Sequence, residues 1–227
     1  MNAFRQAMKS ALSAMLPPHL LLTQGPRDAS GIALTFDDGP HPKHTPPLLD
    51  ALQVHGIHAT FFVVGREAEW YPEIVRRIVA DGHEIGGHTY THSDPARTSA
   101  RKLRDELRRS RDLLEGITGR PLRLFRPPFG KMSALKFWEA WRAHQTVVLW
   151  NADPRDFAMT SPNDVARWCQ NYVPQNGDVL LFHDNHPHAV RAVPLVGESA
   201  ARQNLTFRRI SDWISASRKQ DAVTVSA

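Results

Sequence analysis

A parallel α/β fold is what this sequence predicts, on three observations. Short apolar runs rich in β-branched and aromatic residues, such as "IALTF", "HATFFVVG" and "DVLLF", alternate with stretches of helical period. Proline opens and glycine closes several of those helical stretches. With 227 residues, 41% hydrophobic and 22% charged, the chain has the length and balance of one globular domain with a substantial core.

The first segment, "MNAFRQAMKSALSAMLPPHLLL", can set Phe4, Met8, Leu12 and Met15 along one helix face with Arg5 and Lys9 opposite. Pro17, Pro18 and His19 break the apolar run, no small-residue cleavage site follows, and nothing approaches a membrane span. An amphipathic helix that rests on the domain or touches a membrane surface is the expectation for this part. "IALTF" is the first strand. "TPPLLDALQVHG" is a helix with Thr45 as cap, Pro46 in its first turn and Gly56 as stop. "HATFFVVG" is a second buried strand, and "YPEIVRRIVADG" repeats the proline-to-glycine grammar. "HEIGGH" is a short strand. In "SARKLRDELRRSRDLLEG", Leu103, Leu107 and Leu114 keep helical spacing while charged residues fill a solvated face. "LRLF", "TVVLW" and "DVLLF" supply further strands, with "SPNDVARWCQNYV" a helix between the last two. "LTFRRISDWIS" ends as a short strand and helix.

This alternation argues for a parallel sheet. Six or seven strands are compatible with either a closed barrel or an open doubly wound sheet. No G-x-G-x-x-G or phosphate loop follows any strand, which weighs against nucleotide binding. The formal charge of +5 is spread over helix faces rather than gathered in a patch, so no nucleic-acid partner is expected. Cys169 is the lone cysteine, which excludes an intramolecular disulfide, and its apolar helical setting makes it a core residue.

Reactive side chains collect where strands end. "IALTF" runs into Asp37 and Asp38, "EIGG" into His88, "LRLF" into Arg126, "TVVLW" into Asn151 and Asp153, and "DVLLF" into His183 and Asp184. In parallel α/β folds those carboxyl ends share one side, where loops build the site. In "HTYTH", His88 and His92 stand four apart, on one side of a helical turn and within reach of one metal. The Asp37–Asp38 pair is the best source of a third ligand, leaving a position open for water. Zinc is the default ion, and cobalt, nickel or manganese also suit such a ligand set. A dication relieves the repulsion between adjacent carboxylates, so one Asp can bind it while the other takes a proton. The competing reading is a loop pair that serves as turn and cap before "GPHP".

"TFDDG" (Thr35–Gly39), "HTYTH" (His88–His92), "RPPFG" (Arg126–Gly130), "DPRDF" (Asp153–Phe157) and "LLFHD" (Leu180–Asp184) resemble, in order, the five motifs of the NodB-homology polysaccharide deacetylases, carbohydrate esterase family 4. The resemblance covers roughly Gly31 to Trp213. It implies a single-domain, distorted (β/α) barrel of about seven parallel strands over residues 31–215, with an extension at 1–30 and a tail at 216–227. It also implies removal of N-acetyl groups from N-acetylglucosamine-type poly- or oligosaccharides. By matching position, Asp37 becomes the general base, and Asp38, His88 and His92 the metal ligands. Arg126 pairs with Asp37, and the Phe129 backbone N–H stabilises the oxyanion. His183 becomes the general acid tuned by Asp156, while Leu181, Phe157 and Pro128 wall the acyl pocket. Phe157 stands where the family commonly has Trp, and Gly87 where relatives commonly have Asn. The insertion-like "NHPHAVRAVPLVGESAARQN" carries His186 and His188, expected as exposed loop residues.

The expected partner is an N-acetylated glycan or a sugar-lipid, met by a cytoplasmic or membrane-peripheral enzyme. Three alternatives differ in kind: a deformylase of a lipid-linked aminosugar, a glycosidase using Asp37 and Asp156, and a non-catalytic, metal-holding glycan-binding protein. The glycosidase leaves His88, His92 and Arg126 idle. The binding protein leaves Asp37, Arg126 and His183 without a task.

Overall fold

The computed structural model describes residues 16–26, 30–95 and 97–215. The amphipathic helix expected around Phe4 to Met15 and the 216–227 tail lie outside the described residues. Seven strands form one sheet, all neighbours parallel: β1 Leu21–Leu22, β2 Ala33–Asp37, β3 Thr60–Val63, β4 Glu84–Gly87, β5 Leu124–Phe125, β6 Thr146–Val148 and β7 Val179–His183. Their spatial order is β1-β6-β5-β4-β3-β2-β7. The sheet curls until its ends meet. Gly25 donates its N–H to the Gly177 carbonyl at 2.7 Å, and Ala152, beyond β6, bridges to Leu180 of β7. The result is a distorted barrel, the architecture that the motif resemblance implies.

Helices α1 Thr45–Val54, α2 Gly65–Trp70, α3 Pro72–Ala80, α4 Ala100–Thr118, α5 Ala134–Arg142, α6 Pro162–Asn171 and α7 His188–Arg202 cover the outside. Residues 210–215 are also helical. Strand period divides the core into two layers. Ile32, Leu34 and Phe36 from the β2 region and Leu180 and Phe182 from β7 pack outward against Leu48, Leu52, Val193 and Val196 of the helices. Ala33, Phe62, Val179 and Leu181 belong to a separate inner cluster with Phe125, Val148 and Trp150. Residues 33, 35 and 37 therefore share the inward face with 179, 181 and 183.

Several local expectations change. Leu21–Leu22 joins the sheet by pairing with Val147 and Val148, ahead of residue 31; two residues are too few to show a period. Thr45 is the first residue of α1 rather than its cap, and His44 in the cap position makes no side-chain capping bond. The Thr45 hydroxyl instead donates to Asp184 Oδ2 at 2.7 Å, because a buried carboxylate competes strongly for a donor. The insertion-like stretch after His186 is the helix α7, with Ala189, Ala192, Val193, Val196 and Ala200 buried at helical spacing. Pro194 within it disguised the pattern. The leucine helix passes through Gly116 and stops at Gly119, whose φ of 65° is left-handed. Among the described residues, no helix is long and apolar enough to cross a membrane.

Candidate active site

The carboxyl ends of β2 and β7 set the centre of the site. Asp37 and His183 are direct partners in the parallel register, so both side chains project to the inner face side by side. In an extended strand the next residue, Asp38, would point the opposite way. Its φ of 78° lies in the left-handed region, and this turn lets the second carboxylate serve the same site. Gly39 then passes tightly under the buried Asp184: a Cβ there would stand 2.0 Å from Asp184 Oδ2.

The two carboxylates have different neighbours. Asp37 Oδ1 accepts a 2.7 Å bond from Arg126 Nη1, and Arg126 is fully buried. The guanidinium also donates to Thr35 Oγ1 at 2.8 Å, the Leu149 carbonyl at 3.2 Å and the Val148 carbonyl at 3.3 Å, and lies 4.0 Å from the Phe62 ring centre. Gly86 makes room for that ring, since a Cβ would meet Phe62 at 2.6 Å. Burial pushes the Arg126 pKa down, with Asp37 opposing.

Asp38 turns instead to the histidines. Its Oδ1 lies 3.4 Å from His88 Nε2 and 3.2 Å from His92 Nε2, and among the described residues this buried oxygen has no hydrogen-bond partner. Ligand atoms about 2.0–2.1 Å from a tetrahedral cation stand about 3.3 Å apart. One carboxylate oxygen and two imidazole nitrogens thus fit a zinc-like divalent ion in both chemistry and spacing. His88 is pre-oriented, with Nδ1 2.7 Å from the Arg126 carbonyl, which leaves the Nε2 lone pair facing Asp38. The expectation of a helical turn at "HTYTH" does not hold. Thr89 and His92 have φ of 63° and 56°, and the loop is pinned by Glu106, which accepts the N–H groups of Tyr90 at 3.0 Å and Thr91 at 2.7 Å. Glu106 is 8% exposed, although the sequence places it with the solvated face of α4.

Burial opposes ionisation of Asp38, yet His88, His92 and His183 hold its carboxyl well below the usual range. Burial likewise opposes charge on His88, but Asp37 and Asp38 raise its pKa overall. At His92 burial wins, aided by His88, and its pKa falls.

His183 stands on the other flank. Its Nδ1 is 2.7 Å from Asp156 Oδ1, and its backbone N–H donates to Asp156 Oδ2 at 2.8 Å. Burial works against the imidazolium, but Asp156, with Asp37 and Asp38 adding, raises the His183 pKa to about 9. Phe157 presents its ring edge-on to His183 at 5.5 Å and is 57% exposed. Leu181 is buried on the inner face and Pro128 is buried in the turn Pro128–Gly130. Phe129 sits at φ 58° beside His92, ring centres 5.0 Å apart, and among the described residues no protein group accepts its N–H.

All of the site residues expected from the motifs lie at this end of the barrel. Sequence reasoning missed Glu106 and Asn185, which donates to Asp38 Oδ2 at 3.2 Å; it named Asp184 at the strand end without a task, and expected as an exposed loop residue His186, whose Nε2 is 3.5 Å from Asp156 Oδ2. The "NHPH" run after the last strand was the one signal for Asn185 and His186. Burial raises the Asp184 carboxyl to about 7, with Asp38 adding and Thr45 opposing.

A family model described as polysaccharide deacetylase matches residues 24–148. A peptidoglycan-N-acetylglucosamine deacetylase of Bacillus cereus is 34% identical over 197 residues, 83% of this chain and 90% of the relative. A chitooligosaccharide deacetylase of Bradyrhizobium sp. is 37% identical over 164 residues, 70% of this chain and 74% of the relative. The crystal structure of a peptidoglycan N-acetylglucosamine deacetylase in complex with 4-naphthalen-1-yl-N-oxidanyl-benzamide superposes with a TM-score of 0.80 at 28% identity, covering 86% of this chain and 92% of that one.

Removing one partner of a buried ion pair strands the other. Arg126→Met is therefore expected to cost about 3–5 kcal/mol of stability in urea unfolding, with part recovered when Asp37→Asn accompanies it. A loss below about 1 kcal/mol contradicts the buried pair.

Proposed function

The chain belongs to the polysaccharide deacetylase family, hydrolases acting on carbon–nitrogen bonds other than peptide bonds, and from that premise we propose that it removes N-acetyl groups from N-acetylglucosamine-containing glycans with Asp38, His88 and His92 holding a divalent ion. The observation that carries this reading is the buried Asp38 Oδ1 between two imidazole nitrogens, without a hydrogen-bond partner among the described residues. Names of relatives that act on peptidoglycan and on chitooligosaccharides support the glycan class.

An amide is a weak electrophile with a poor leaving group, so hydrolysis needs activated water, charge stabilisation on oxygen and a proton for nitrogen. Asp38, His88 and His92 would hold a divalent cation, which would supply Lewis-acid charge to polarise the amide carbonyl. Asp37 accepts the proton of the attacking water at Oδ2, while its Oδ1 stays on Arg126. The free N–H of Phe129 donates to the oxygen that becomes negative. As the carbon–nitrogen bond breaks, His183 delivers its proton to the departing nitrogen, giving free amine and acetate. Asp156 on Nδ1 orients that imidazole so that Nε2 is the donating atom. Leu181, Phe157 and Pro128 bound the space for the acyl methyl. Exposed Phe129 and Phe157, beside His92 and His183, offer apolar faces to a sugar ring.

Acetate release from N-acetylglucosamine oligomers is the test. Asp37→Asn and His183→Ala are expected to lose about 10²–10⁴-fold in turnover while keeping bound metal, and a chelator is expected to abolish wild-type activity. Near-normal release by either variant, or indifference to chelator, refutes the assignment.

The raised His183 pKa sets a pH dependence. The acid works as imidazolium, so this group supports turnover up to about pH 9 and activity is lost as pH rises through that value. Asp156→Asn removes the main support for the imidazolium, so the alkaline limb should move to lower pH. A limb that stays in place in this variant contradicts the Asp156–His183 coupling.

A further inference from the structure

One histidine beside the proposed acid has no task in this reaction. Asp156 is fully buried, and a carboxylate offers about four acceptor positions. Three are filled: Oδ1 by the His183 ring at 2.7 Å and the Phe157 N–H at 3.1 Å, and Oδ2 by the His183 N–H at 2.8 Å. The fourth faces His186, whose Nε2 stands 3.5 Å from Oδ2. That Nε2 is itself buried and has no hydrogen-bond partner among the described residues.

The polarity of the ring follows from its other nitrogen. The His188 backbone N–H donates to His186 Nδ1 at 3.4 Å, so Nδ1 carries a lone pair and the neutral ring bears its hydrogen on Nε2. The charged and titratable groups around His186 are Asp156, His183 from β7, His188 from α7 and His44 at the start of α1. Burial, the largest effect, lowers the His186 pKa, with His183, His188 and His44 adding to it and Asp156 opposing. His188 is tied away through Nε2, 3.1 Å from the Met159 carbonyl.

The same polarity argues against a second cation site, although Asp156, His183 and His186 bring ligand atoms within 4.8 Å of one another. A cation at His186 Nε2 needs a lone pair there, which moves the ring hydrogen to Nδ1 and against the His188 N–H. An Nε2–H facing a carboxylate oxygen meets no such conflict.

We propose that His186 is a positioning residue for the reaction: as the Nε2–H tautomer it closes the fourth acceptor position of Asp156 and so fixes the carboxylate that orients His183. The proposal rests on the general-acid role of His183. A side chain acting through Asp156 affects proton delivery more than substrate binding, so His186→Ala should lower kcat about tenfold with KM within about twofold. His186→Gln, whose amide N–H can face Oδ2, should keep most of kcat. In an Asp156→Asn background, His186→Ala should add little, because the group it acts through is gone.

A second readout needs no turnover. In the metal-loaded protein, the imidazole titration of His183 followed by NMR should move upward in His186→Ala, which removes a partial positive charge beside Asp156, and stay in place in His186→Gln. Unchanged kcat and titration in His186→Ala, a rise in KM alone, or an undiminished effect in the Asp156→Asn background overturns the proposal. Wild-type protein that releases no acetate would defeat the deacetylase reading instead, and the titration would then decide the coupling by itself.

Discussion

Two adjacent carboxylates at one strand end repel each other, and the architecture of this site follows from how that repulsion is relieved. Asp37 is committed to a fully buried guanidinium, while Asp38, turned by its left-handed backbone, faces two imidazoles. Neither solution would work at the surface. In water the Arg126–Asp37 attraction would be weak and the side chains free to part, whereas inside the barrel Arg126 is bound by two carbonyls, a hydroxyl and an aromatic face. The core of the protein is thus also the support of its chemistry. The arginine that fills the barrel interior is the one that fixes the proposed base.

Parallel register does the remaining placement. Because β2 and β7 are neighbours with Asp37 opposite His183, proposed base and acid flank a common point without either sitting on a mobile element. Outside the strands, buried acids act as anchors for loops: Glu106 for the histidine loop, Asp184 for the turn through Gly39 and Thr45, and Asp156 for the end of β7. Glu106 and Asp156 each receive several donors, which makes burial of their charge tolerable, whereas burial raises the Asp184 carboxyl to about 7.

The sheet and its reactive ends were legible because strand period, proline starts and glycine stops are local signals. Strands such as Ala33–Asp37 and Val179–His183 carry continuous apolar text that only a doubly covered strand needs. The Leu21–Leu22 strand was not legible because two residues are too few to show a period, and α7 because Pro194 hid its helical spacing. The meeting of His88 and His92 was expected for a reason that differs from the one found. Spacing suggested a helical turn, while two left-handed residues and the Glu106 anchor produce the convergence. Glu106 and His186 stayed hidden because their partners are distant or contact them through tertiary packing, and a residue on a charged helix face gives no sign that the face is covered.

The proposed centre of this site is a single ion shared by Asp38, His88 and His92. Calorimetric titration of zinc into metal-stripped protein measures this directly. One ion per chain for the wild type, and binding at least about 100-fold weaker for His88→Ala and for His92→Ala, is the predicted result. A wild-type chain that takes up no ion, or variants that bind it as tightly as the wild type, would contradict it.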